Sequence, residues 1–151
     1  MKLSYQTEIK GKKADVLITG VYEGLKNLDE KEKEDLKALG FKGKAGEIAV
    51  LPGEAFKGVI YVGLGKKGEL KPDTVRLAAA KGIKEAKKRR FRNVVCELLG
   101  AEKLKEEAAR AVAEGLKLGE YEFTKYKSSE DEQFQIEKVY VAGVPEYRDA
   151  L

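Results

Sequence analysis

Leu3, Tyr5, Thr7 and Ile9 alternate with polar neighbours, the period-two pattern of a strand covered on one side or lying at a sheet edge. Gly11, Lys12 and Lys13 mark a turn, and residues 14–22, carrying Val16, Leu17, Ile18 and Val21, read as a more buried strand. The period then changes. Asp29 stands as a helix N-cap with Glu32 three positions on, in capping-box register, while Leu28, Leu36 and Leu39 give a thin apolar face and Gly40 a stop. Residues 43–46 form a turn, and residues 47–51 a short strand halted by Pro52 and Gly53. Residues 59–64 are apolar without alternation, as expected of a strand covered on both faces. A glycine turn follows, and then Pro72, which suits a first helical turn.

The second half alternates helix and strand. Residues 72–90 form a helix whose inner face is Val75, Ala79, Gly82 or Ile83, and Ala86. Residues 93–99 form a buried strand. Residues 102–118 form a second long helix facing inward through Leu104, Ala108, Ala111, Val112, Gly115 and Leu116, and residues 135–142 close the chain with a strand centred on Val139, Tyr140 and Val141. Residues 128–132 are polar and read as a loop. Strands that first pair without helices and then alternate with them predict an α/β protein, a three-layer α/β/α arrangement around a mixed, mostly parallel central sheet.

Composition narrows this picture. A chain of 151 residues that is 42% hydrophobic suits one domain, spanning 1–151, with one packed interior. The charged fraction of 37% is rich in lysine and glutamate, a bias shared with hyperthermophile proteins. The net charge of +4 arises from 30 basic and 26 acidic residues mixed along the chain, which describes a solvated surface more than a dedicated nucleic-acid face. No stretch approaches a membrane span or a signal core, and the one cysteine, Cys96, lies in an apolar run where no intrachain disulfide can form, so the sequence reads as cytoplasmic with no membrane partner. Histidine is absent, which excludes histidine-ligated zinc, serine–histidine triads and imidazole acid–base chemistry.

Four groups of residues are candidates for a site. Gly63, Leu64, Gly65, Lys66, Lys67 and Gly68 match GxGxxG after a strand, the spacing of a loop that lays pyrophosphate on a helix N-terminus. Here Glu69, Leu70 and Lys71 separate Gly68 from Pro72, so the third glycine falls ahead of the helix. The acidic residue expected about twenty positions on is poorly placed, since Glu85 falls mid-helix and Glu97 comes late, and a structural turn is the stronger reading; Gly63, Leu64, Gly65, Lys66 and Gly68 remain the candidate ligand or phosphate loop. Lys87, Lys88, Arg89, Arg90 and Arg92 could contact phosphates or nucleic acid, yet cations at a helix C-terminus are also favoured by its dipole. Carboxylate pairs such as Glu106 and Glu107 lie in charged, exposed contexts and lack the burial that tunes a general acid, and Tyr121, Phe123 and Tyr126 read as packing residues. The residues taken alone yield an α/β domain with no visible catalytic set.

Three segments together carry a resemblance. They are residues 15–23 around Val16, Leu17, Ile18 and Gly20, then Val62-Gly63-Leu64-Gly65-Lys66 leading to the alanine-rich helix at Ala78-Ala79-Ala80, and then the helix through Ala111 leading to Gly119, Tyr121, Phe123, Tyr126 and Lys127. In this order they resemble the N-terminal domain of the cytosol (leucine) aminopeptidases, the M17 metallopeptidases. The resemblance implies a macro-domain-like fold and a non-catalytic role in oligomer assembly or regulation, with the aminopeptidase catalytic domain or further copies of the chain as partner. The family's two divalent metals and its N-T-D-A-E-G-R segment belong to a catalytic half that these residues do not include, so the resemblance implies no cofactor and no catalytic or metal residue here. Some members of the family use this domain in DNA binding. A macro-like fold also implies an alternative, a stand-alone module binding ADP-ribose or another nucleotide, with residues 63–68 against the phosphates.

Overall fold

The computed structural model describes residues 2–6, 14–26, 28–125 and 134–143, with backbone alone over 122–125. Six strands build one sheet: β1 (Lys2–Gln6), β2 (Val16–Tyr22), β3 (Ile48–Pro52), β4 (Gly58–Gly65), β5 (Asn93–Glu97) and β6 (Lys138–Ala142). Their spatial order is β1-β6-β5-β2-β4-β3. Every neighbouring pair is parallel except β3 with β4, which is antiparallel and places β3 at one edge, opposite β1.

The helices are α1 (Glu30–Ala38), α2 (Pro72–Lys88), α3 (Ala101–Leu104) and α4 (Glu106–Lys125). Strand order explains their sides. From β4 to β5 and from β5 to β6 the chain advances in one direction along the sheet, whereas from β2 to β4 it moves the other way. Right-handed crossovers therefore lay α2 and α4 on one face and α1 on the other. The interior follows this division. Ile18, Ile60, Val62, Val94, Cys96, Val139 and Val141 pack with Val75, Ile83, Val112 and Leu116 of α2 and α4. On the opposite face Val21, Leu25, Phe41, Ala49 and Tyr61 surround Leu36 of α1.

The expected elements are present, with several differences. The β1 segment is described only to Gln6, so the expectations at Thr7, Ile9 and residues 11–13 lie outside the described residues. Leu36 is fully buried, but Leu39 is 58% exposed, because α1 ends at Ala38 and Gly40 (φ +80) turns the chain away. The helix expected over 102–118 is two helices. Lys105 adopts φ 56 and ψ −128, which interrupts the helical ladder before α4 runs on to Lys125. Tyr121 is thereby on α4 and 64% exposed, contrary to its reading as a packing residue; the side chains of Phe123 and Tyr126, and the loop at 128–132, lie outside the described residues. α2 and α4 approach through glycine. A Cβ on Gly115 would lie 2.3 Å from the Arg76 carbonyl oxygen, and one on Gly119 would lie 2.4 Å from that of Ala80. Any larger residue would separate the helices.

Candidate functional site

In a mostly parallel sheet, ligands bind at the carboxyl ends of the strands where the direction of connection reverses. That point lies here between β2 and β5, where Ile18 pairs with Cys96 and the strands run on to Tyr22 and Glu97. Apolar side chains occupy the crevice. A Cβ on Gly20 would meet Leu64 Cδ1 at 2.7 Å and Leu99 Cδ2 at 3.1 Å, and one on Gly100 would meet Leu70 Cδ2 at 2.7 Å. Leu64, Leu70 and Leu99 are all buried. At its rim, the Tyr22 hydroxyl donates to Glu102 Oε1, Lys67 Nζ lies 5.8 Å from the Tyr22 ring centroid, and Lys103 Nζ donates to the Lys67 carbonyl at 2.8 Å.

The glycine turn forms the other wall. Val21 pairs with Gly63 and Tyr22 with Gly65, so Leu64 is the extra residue of a β-bulge. Such a bulge re-aims a side chain, and here Leu64 is the one placed against Gly20 and Leu99. Gly65 takes φ +75, which glycine adopts at little cost. Gly63 answers a different need. The 43–46 turn crosses directly over it, and a Cβ there would lie 1.9 Å from the Lys44 carbonyl oxygen. Two N–H groups of this segment have acceptors within the protein: Gly63 donates to the Glu47 carbonyl and Gly65 to that of Gly43, both at 2.8 Å. Lys66 and Gly68 are exposed, and Gly68 sits in a short 3-10 turn (Lys67–Glu69) ahead of Pro72. β4 is fifth in the order of six strands, so the turn does not leave the centre of the sheet.

The crossing turn holds a carboxylate of its own. Glu47 Oε1 accepts from the backbone N–H of Lys42 at 3.0 Å and of Lys44 at 2.7 Å. Desolvation alone would push Glu47 up, but the N–H groups of Lys44, Lys42 and Gly43, with the Lys44 charge, hold it below the usual carboxylate range. Glu97 moves the other way. Burial pushes its carboxyl up, a hydrogen bond with Thr19 pulls it part of the way back, and the Glu102 charge pushes it up again. Burial, followed by the hydrogen bond to Glu102 and its charge, likewise raises the Tyr22 phenol.

The basic run lies at the amino end of the sheet, where α2 ends and β5 begins, so the structure does not bring it together with the glycine turn. Its members diverge. Lys87 is 3% exposed, whereas Lys88, Arg89, Arg90 and Arg92 are exposed. Arg89 Nε pairs with Glu85 at 2.7 Å, Arg92 Nη1 with Glu137 at 3.3 Å, and Arg90 lies 5.5 Å from the centroid of the Phe134 ring. Sequence reasoning missed a further feature, an open groove of about 590 Å³ between α1 and the β3–β4 connection, lined by Asp29, Glu32, Asp35, Leu51, Glu54 and Phe56 among others. The capping-box spacing was its one visible trace.

Fold and site together define a macro-like α/β/α domain whose sheet crevice is packed with its own side chains. The macro domain of ganglioside induced differentiation associated protein 2 superposes with a TM-score of 0.69 at 14% identity, covering 99% of this chain and 80% of that one. The chain belongs to the cytosol aminopeptidase family, whose N-terminal domain matches residues 20–130. A probable cytosol aminopeptidase of Aquifex aeolicus is 34% identical over 149 residues, covering 91% of this chain and 30% of that protein. The bottromycin maturation enzyme BotP is similar in structure, with a TM-score of 0.72 at 29% identity over 91% of this chain and 29% of BotP. The chain thus spans about 30% of the length of the curated relatives it matches.

The metals of the parent family can be set against the donors at hand. There is no histidine, and among the described residues no three of His, Cys, Asp and Glu are grouped so that they could hold a metal ion. Glu97 and Glu102 are neighbours, but Glu102 already accepts from Tyr22. This donor set does not fit a two-metal centre. Among the described residues no helix is long and apolar enough to cross a membrane.

Proposed function

We propose that this chain is the non-catalytic N-terminal domain of a leucyl aminopeptidase, a metal-dependent exopeptidase, and that it acts in oligomer assembly or regulation. Its partners on this reading are the aminopeptidase catalytic domain, further copies of itself, or both, in the cytoplasm. One observation carries the reading: the family match over residues 20–130 coincides with the first of the two halves that the sequence resemblance implies, and the relatives are more than three times as long. The side chains in the sheet crevice agree with a scaffold. Leu64, Leu70 and Leu99 occupy the space where a nucleotide would enter, and Gly63 and Gly65 spend their N–H groups on Glu47 and Gly43. The alternative, a free-standing module for ADP-ribose or another nucleotide, requires this packing to open.

The test is hydrolysis of a leucine amide by the purified chain with Mn²⁺ or Zn²⁺. The expected result is no turnover above the metal-only blank. Sustained, metal-dependent hydrolysis that follows the protein through purification would overturn the proposal.

A further inference from the structure

The groove between α1 and the β3–β4 connection reverses the charge of the molecule around it. The chain as a whole is +4, yet the groove is lined by Asp29, Glu32, Asp35 and Glu54 against one cation, Lys31. Its floor is apolar, formed by Leu51, Pro52, Phe56, Val59 and Tyr61. Capping the helix accounts for only part of the carboxylate. Asp29 Oδ1 accepts from the Glu32 N–H at 2.8 Å, and Glu32 Oε2 accepts from the Tyr61 hydroxyl at 2.6 Å. The side chains of Asp35 and Glu54 have no hydrogen bond or ion pair with any described residue. After burial itself, it is Glu32, Asp29 and Asp35 that push the Tyr61 phenol up, so the three carboxylates bear on one point of the floor.

Spacing says what would fit. The N-cap Asp29 and then Glu32 and Asp35 of α1 follow at intervals of three, a row about 9 Å long at about 1.5 Å per helical residue. Alternate side chains of an extended peptide are about 6.7 Å apart and emerge on one side. Lysine and arginine carry a charged head on an apolar stem that can lie along an apolar surface. A free amine would satisfy one carboxylate and leave the row and most of the floor uncovered.

We propose that this groove binds an extended peptide segment with two cationic residues in alternate positions, their stems on Leu51, Phe56 and Val59 and their heads along α1. The site is separate from the glycine turn and stands whether or not the chain acts as an aminopeptidase domain.

The test is a ¹⁵N-correlation titration of the whole chain with acetyl-Lys-Phe-Arg-amide, with acetyl-Glu-Phe-Glu-amide and lysine amide as controls. The cationic tripeptide should shift amides of residues 29–35 and 51–56 in a saturating manner, and rising salt should weaken it, since the groove is open to solvent. Asp35→Asn combined with Glu54→Gln should weaken it about tenfold, a change of about 1.4 kcal/mol. Glu107→Gln, at an exposed position of α4, should leave it unchanged. Shifts elsewhere, no saturable shift, equal binding by the acidic peptide or by lysine amide, or an unchanged affinity in the double variant would each overturn the proposal. So would groove shifts that appear on concentrating the protein alone, which would assign the surface to a second copy. Thermal melts of the double variant establish that it is folded, because neither substituted side chain makes a bond within the described protein.

Discussion

Gly63 and Gly68 belong to one sequence motif but have different physical surroundings. A methyl group on Gly63 would be driven into the Lys44 carbonyl, and backbone is the least able to yield. Gly63→Ala should therefore cost at least about 3 kcal/mol in a urea unfolding curve. Gly68 has nothing within 4 Å of a built Cβ, so Gly68→Ala should stay within about 0.5 kcal/mol. A phosphate loop would make the two comparable in a binding assay and neutral in stability. Glu97 allows a second prediction at this scale. Its carboxyl is raised in the fold, so the native state holds the proton more tightly than the unfolded chain. Stability is lost as pH rises from the ordinary carboxylate range through the raised value, and Glu97→Gln, which keeps an acceptor for Thr19, should unfold at higher urea near neutral pH and flatten that dependence. The glycine spacing was plain in the sequence, but the bulge at Leu64 was not, because register between β2 and β4 depends on residues more than forty positions apart.

Among the elements, α1 was legible to its cap. Asp29 and Glu32 form both bonds of the capping box, and Asp29→Ala should cost about 1 kcal/mol. The break between α3 and α4 was not legible. Neither Gly nor Pro marks it, and the apolar spacing of Leu104, Ala108 and Val112 continues across it in helical phase. The positive φ of Lys105 supplies a test. With the break, Lys105→Gly should be at least as stable as Lys105→Ala, because glycine relieves a strain of about 1–2 kcal/mol. A continuous helix would put the glycine variant about 1 kcal/mol below alanine. The 42–47 turn has an acid dependence opposite to that of Glu97. Glu47 is held below its ordinary range, so its contribution is complete above that range and fades as pH falls through the depressed value. Amide exchange at Lys42 and Lys44 should speed up in acid beyond the intrinsic pH effect, and Glu47→Gln should abolish the excess.

For the whole molecule, the layer order and the mixed, mostly parallel sheet followed from strands that pair first and then alternate with helices. The second apolar cluster around Leu36 and the groove beside it did not, because α1 shows so few apolar residues that its packed side rests on one fully buried leucine. Function was legible only through three segments in order, since no residue spacing in the sequence spelled out a catalytic set. The central claim is that this domain serves an aminopeptidase as a docking scaffold, and the most direct measurement is the solution mass by light scattering of the chain alone and mixed with the separately expressed peptidase domain of the Aquifex aeolicus relative. The account predicts that the mixture elutes as a species heavier than either component and containing both, with leucine-amide hydrolysis confined to fractions that hold the peptidase domain. A chain that stays monomeric, leaves the peptidase domain's mass unchanged and hydrolyses the amide by itself would contradict it.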